Sequence, residues 1–170
     1  VEDLTRRDLE PDARRFIQAV DRWMAIIAVR GTTPENEKNV PKARFLAAKL
    51  YYNANHFDEA AKRFVHFVET HSRHQFAVSA ASHVLSCYNL LRDSENIRKY
   101  ADKFDAMPPL KDPNLTDEIQ RIHREFNYIK CFKYEEREEF LGAAECYLKY
   151  SNEHPDSAKA PLATFNSAAN

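Results

Sequence analysis

The chain has 170 residues, 44% hydrophobic and 12% aromatic, with 25 Lys and Arg against 26 Asp and Glu, a net charge of −1. That is too much apolar material for a disordered tail. No basic block gives the footprint of a nucleic-acid or anionic-membrane binder, and no apolar run approaches the roughly 20 residues of a spanning helix.

Only 2 Gly occur, which together with abundant Ala, Leu, Glu, Lys and Arg favours an all-helical chain. The first residues contain no basic n-region followed by an apolar h-region. A cytosolic protein and a chain starting after a removed signal therefore both remain open.

In chain order, the first helix is expected from Pro11 to Val29, with Phe16, Ile17, Val20, Trp23, Met24 and Ile27 on one face and Gly31 as its stop. Thr33-Pro34-Glu35 is a second start signal, although Pro41 reads as the opening of the next helix, Pro41 to Asn53. A polar turn at Asn53–His56 leads to a helix from Phe57 to His71, striped by Ala60, Phe64, Phe67 and Val68. The next pair is Phe76–Leu91 and Ser94–Ala106, followed by a Pro-rich connector at Met107–Pro113. A long helix from Thr116 to Arg137, a partner from Phe140 to Glu153 and a last helix from Ser157 to Ala168 complete the expected elements.

Two stretches repeat one another. Tyr51, Phe57, Ala60, Phe64 and Phe67 match Tyr134, Phe140, Ala143, Tyr147 and Tyr150, and Ser72, His74, Ala77 and Ala80 match Pro155, Ser157, Ala160 and Ala163. Every pair is 83 positions apart, as in 143 − 60 = 83. Recurrence of this kind marks copies of one supersecondary unit.

These residues resemble tetratricopeptide repeats. The aromatic near the end of the first helix, the small residue at the crossing, the aromatic in the second helix and the closing proline correspond to Tyr51, Ala60, Phe64 and Ser72, then to Tyr134, Ala143, Tyr147 and Pro155. Ser72 departs from the proline. A middle copy is degenerate, with Tyr88 in place but Ile97 and Ala101 substituting the crossing Ala and the aromatic. The resemblance implies an all-α, right-handed α-solenoid of helix-turn-helix hairpins. Residues 41–170 would form about three helix pairs plus a final helix, and residues 1–40 would be an N-terminal helix and linker packing on that array; because the final helix lacks a partner, the expectation is a fragment of a longer protein or a last helix that caps the stack. Glu59-Ala60-Ala61 with Phe64 and Phe67, then Pro155, Ser157, Ala160 and Ala163, look most like bacterial envelope proteins of the TolA-binding and outer-membrane-assembly lipoprotein type.

That resemblance implies a non-catalytic scaffold, periplasmic or attached to the cell envelope, with cytoplasmic residence as the alternative. It would bind a protein or peptide partner, no nucleic acid and no cofactor, without inserting into a membrane. The concave groove would be lined by Lys42, Phe45, Lys49, Tyr52 and Asn53, by Ser79, Ser82, Ser86 and Asn89, and by Tyr128, Phe132 and Glu135. The alternative for Phe45, Tyr128 and Phe132 is plain core. The Lys and Asn clamp that some co-chaperone repeats use to grip a C-terminal carboxylate is missing, since Phe45, Lys49, His83, Glu125 and Ile129 occupy its places. Other readings are a regulatory, ligand-sensing helical domain attached to an enzyme, and a structural spacer.

Cys87, Cys131 and Cys146 lack CxxC spacing and read as small hydrophobes on buried helix faces, the odd count arguing against a disulfide framework. His66, His71 and His74 do not share one helix face and read as surface or loop histidines, not metal ligands. Nothing resembles a P-loop, a nucleophile elbow or paired catalytic acids.

Overall fold

Thr33 and Gly31 set the first boundaries of the computed structural model, which describes residues 4–169; the extreme ends of the expected N-terminal segment and array, residues 1–3 and 170, lie outside the described residues. Helix α1 (Pro11–Arg30) begins with Pro in its first turn and ends at Gly31, whose φ of 81° suits a residue without Cβ and whose N–H bonds the Ile27 carbonyl. The Thr33 hydroxyl then caps α2 (Pro34–Asn53) by accepting the Asn36 N–H at 3.3 Å. This start signal wins over the one expected at Pro41, which sits inside α2. Proline forgoes one ladder hydrogen bond there, and its ring is buried, which offsets part of the loss.

The remaining helices are α3 (Phe57–Thr70), α4 (Ala77–Leu90), α5 (Ser94–Asp105), α6 (Pro113–Glu135), α7 (Phe140–Glu153) and α8 (Ala160–Ala169), with one 3₁₀ turn at Pro108–Leu110 in the Pro-rich connector. The fold is all-α, with no strand among the described residues. Two compact units, residues 1–116 and 117–170, divide the chain just inside α6.

In the first unit, α3 packs between α2 and α4. Ala47, Ala48, Ala60, Ala61, Ala80 and Ala81 are all fully buried, so the helix backbones approach closely, and Phe64, Phe67, Val68, Val84 and Leu85 fill the space beside them. Helix α1 lies on α2 through Ile17, Val20 and Ala47. Arg63 of α3 fixes that arrangement: it makes two parallel bonds to Asp21 of α1 at 2.8 and 2.9 Å and one to Glu59 at 2.9 Å, and sits over the Tyr51 ring. Asp93 caps α5 by accepting the Asn96 N–H, and α5 meets α4 through the parallel stack of Tyr88 and Tyr100.

The second unit is built on Cys131, Ala143, Tyr147, Tyr150 and Ala163, with Tyr128 and Tyr134 packed against them. It corrects the reading of the cysteines. Cys131 of α6 and Cys146 of α7 form a disulfide with Cα atoms 5.3 Å apart, and only Cys87 is free. Burial pushes the Cys87 thiol up to about 12, so it acts as the small hydrophobe expected.

The sequence repeat is a structural repeat. Adding 83 to the bounds of α3 gives those of α7, and the first residue of α4 maps onto the first of α8. The turns agree bond by bond. His56 N–H to Tyr51 and Asn55 N–H to Tyr52 recur as Glu139 to Tyr134 and Glu138 to Glu135, with Asn55 and Glu138 both left-handed, at φ 63° and 59°. The His71 to Phe67, His74 to His71 and Ala77 to His74 bonds recur as His154 to Tyr150, Ser157 to His154 and Ala160 to Ser157.

Candidate interaction surface

Positions 42, 45, 49 and 52 follow the i, i+3, i+4 spacing that keeps one helix face, and α2 divides this stripe between core and solvent. Phe45 is 6% exposed and packs against Phe64, Phe67, Phe76 and His83, so it serves the core. Lys42, Lys49 and Asn53 are exposed, and Tyr52 is half-buried. On α4, Ser82 and Ser86 are half-buried and Asn89 is exposed. The two stripes meet where the Tyr52 hydroxyl and Ser86 Oγ share a 2.9 Å hydrogen bond.

Beside that bond lies an open hollow of about 550 Å³, walled by Tyr52, Asn53, Phe57, Ser86 and Leu90, with Leu4, Arg7 and Asn55 on the other side. The non-helical segment before α1 makes that second wall. It runs along the α2–α3 turn with its backbone bonded there: the Arg7 N–H donates to the Ala54 carbonyl at 3.0 Å, Asn55 Nδ2 donates to the Thr5 carbonyl at 2.9 Å, and His56 Nε2 meets the Arg7 carbonyl at 2.8 Å. The Arg7 guanidinium donates to the Asn53 carbonyl, and Arg6 pairs with Asp58 at 2.8 Å. The turn thus holds a non-helical segment through that segment's main-chain N–H and carbonyl groups.

His83 is the residue the sequence reading missed as a site former. Its ring sits among Phe45, Phe64 and Tyr52, 4.8 Å from Phe64 and 4.9 Å from Tyr52, and Nδ1 is fixed by the Ser79 carbonyl at 2.6 Å. Its place between Ser79 and Ser86 on the α4 stripe was the available signal.

In the second unit, Tyr128 is half-buried, with its ring 5.4 Å from Tyr147 and 5.3 Å from Tyr150 and under the Lys159 ammonium; desolvation raises its pKa. Phe132 is 50% exposed, and Glu135 closes α6.

His71 stacks on Phe67, and His74 Nδ1 accepts the Phe76 N–H. Burial lowers the pKa of both His66 and His71. No group of three or more His, Cys, Asp and Glu able to hold a metal ion occurs among the described residues, and no described helix is long and apolar enough to cross a membrane. Compared against protein-family profiles and proteins of curated function, the chain matches none.

Proposed function

We propose that this chain is a non-catalytic protein-interaction module of the tetratricopeptide kind, taking a peptide or helix of a partner along α2 and α4 of its first unit. The observation that carries this reading is the hollow beside the Tyr52–Ser86 bond, where the neighbouring turn already holds a non-helical segment by its backbone groups. Lys42, Lys49 and Asn53 on α2 and Asn89 on α4 add exposed polar groups along the same stripes. Walls that mix apolar side chains with polar groups suit a peptide, whose backbone supplies the matching donors and acceptors.

A cell-envelope setting, the periplasm in particular, is supported by the Cys131–Cys146 bond, because disulfides persist in oxidising compartments. The repeated helix-turn-helix unit and its small-residue crossings support the tetratricopeptide assignment and, with it, the scaffold role.

Peptides selected from a random display library are the test. Binding should shift the amide resonances of Tyr52, Asn53 and Ser86, and a Tyr52→Ala/Ser86→Ala variant with unchanged circular dichroism should lose it. Full retention in that variant would remove the site from this face.

A further inference from the structure

We propose that the second unit carries a separate binding site for a small monocarboxylate, in the hollow between α6 and the α7–α8 loop. It shares no residue with the surface on α2 and α4. The hollow measures about 460 Å³, within the range of small-ligand sites, and Arg121, Arg124, Tyr150, His154, Ser157 and Lys159 are among its walls.

The equivalent corner of the first unit shows what the backbone builds there for stability alone. Phe45 and Phe76 stack at 4.7 Å, Phe67 lies 5.8 Å from Phe45, and His71 and His74 close on Phe67 at 5.2 and 5.7 Å. Shifted by 83, these five positions are Tyr128, Lys159, Tyr150, His154 and Ser157. The aromatic neighbours keep their spacing, with Tyr128–Tyr150 at 5.3 Å and Tyr150–His154 at 5.1 Å. The filling ring, however, has become an ammonium, 4.6 Å above Tyr128 and paired with Glu125. An apolar corner has been exchanged for a polar, cationic one on the same frame.

Three further features belong to the residues of its walls. His154 Nε2 is fully enclosed and has no hydrogen-bond partner, an arrangement that costs stability unless something else accepts or donates there. Arg121 and Arg124 stand three apart on α6, so their side chains share a face, and neither belongs to an ion pair among the described residues. Ser157 Oγ is held in place by the Tyr150 hydroxyl at 2.7 Å and by the Lys159 N–H.

Charge selects the ligand. Lys159 is matched by Glu125, and Glu153 by Lys149 at 3.8 Å, which leaves two guanidiniums against the Asp156 carboxylate, 2 − 1 = +1. One negative charge completes the balance, whereas a dianion would meet Asp156, Glu125 and Glu153 together. A planar carboxylate accepts two parallel bonds from one guanidinium and can take a further bond from the other. The carboxylate can belong to a free organic acid or to a Glu side chain of a peptide.

The test uses the full chain labelled with ¹⁵N. Propionate and a blocked Gly-Glu-Gly peptide are titrated separately, with sodium chloride and propionamide as controls at matched ionic strength. Saturable shifts are expected at the Arg121 and Arg124 guanidiniums, the His154 ring and the Ser157 amide. Arg121→Gln and Arg124→Gln should each weaken binding about tenfold or more with an unchanged thermal midpoint. Lys159→Phe restores the residue type of the first unit, so it should close the hollow and abolish binding while keeping the helical spectrum. Saturation by propionate assigns a free acid, and saturation by the peptide alone assigns a protein side chain; either supports the site. Absence of saturation by both probes, or equal binding in the two Arg variants and in Lys159→Phe, would overturn it.

Discussion

The α2–α3–α4 segment of the first unit and the α6–α7–α8 segment of the second share a backbone pattern and close it with different chemistry. Phe45, Phe64 and Phe67 in the first are Tyr128, Tyr147 and Tyr150 in the second. Each added hydroxyl brings a demand for a partner wherever it is buried, and the second unit supplies polar groups at the matching places: Ser157 for Tyr150 and Asn166 for Tyr147, where the first unit has His74 and His83. Ala48 and Arg63 likewise become Cys131 and Cys146, so a guanidinium reaching Asp21 and Glu59 gives way to a covalent bond between two helices. The shared small residues and ring positions therefore specify the hairpin, and what is added to the rings decides how each copy is held.

The largest test of that division removes a shared ring. Phe64 and Tyr147 are both essentially fully buried, and Phe64→Ala or Tyr147→Ala should each cost about 3–5 kcal/mol through the cavity left behind. Urea unfolding followed by hydrogen exchange would place the loss in the unit that carries the substitution. Equal loss of protection in both units would show that the two do not unfold separately.

Breaking the disulfide comes next. Its cysteines are 15 positions apart, and closing a loop of that length is worth about 3 kcal/mol in the chain-entropy account. A Cys131→Ala/Cys146→Ala variant should lose amide protection in α6 and α7 and leave α2 and α3 as they were. This variant also sharpens the contrast in clamps, because Arg63→Ala should act only on the first unit.

How much of this was legible in the residues follows from what each signal depends on. Helix α7 was expected at Phe140–Glu153 and is found there, because a polar turn, an aromatic and a fixed Ala-to-aromatic spacing mark both its start and its face. Pro41 was misread as a boundary since proline usually breaks a helix, and the local rule cannot register that its ring is buried. The cysteine pair carries no motif. Its only trace in the sequence is that positions 131 and 146 align with 48 and 63, residues of two helices that pack together. Phe45 and Lys42 share a stripe, and periodicity alone does not say where along its width the core ends. The polar corner at Lys159 was hidden for the same reason: the repeat match registered Ser157 beside His74 but placed no meaning on an ammonium in the place of Phe76.

A smaller effect tests the crossings. Ala143 is fully buried, and Ala143→Leu should overpack the α6–α7–α8 contact at a cost of about 1–3 kcal/mol. Ala60→Leu should do the same in the first unit. An unchanged thermal midpoint in either variant would remove that residue from the crossing. Tyr150→Phe, which gives the second unit the ring of the first, should cost about 0.5–1.5 kcal/mol by releasing Ser157 Oγ.

The smallest expected effect concerns the ionic clamp that only the first unit has. The hydrogen bonds from Arg63 hold the Asp21 carboxyl below its ordinary value of 3.8, burial opposing them. A carboxyl depressed in the folded state binds fewer protons there than in the unfolded chain, so its contribution is fully present above pH about 4 and is lost as pH falls through the lowered value. Asp21 is about half exposed, with 49% of its side-chain surface open, so solvent screening limits this contribution to roughly 0.5–1 kcal/mol despite the two parallel bonds. Asp21→Asn should therefore lower the urea midpoint at pH 7, and its difference from the parent protein should shrink as pH falls below about 3.8. The loss should fall on the amides of α1 and α3 and spare α7, whose position corresponding to Arg63 is Cys146. A difference between the two proteins that persists undiminished at pH 3 would mean that Asp21 acts through packing, and the contrast between an ionic and a covalent clamp would lose its first half.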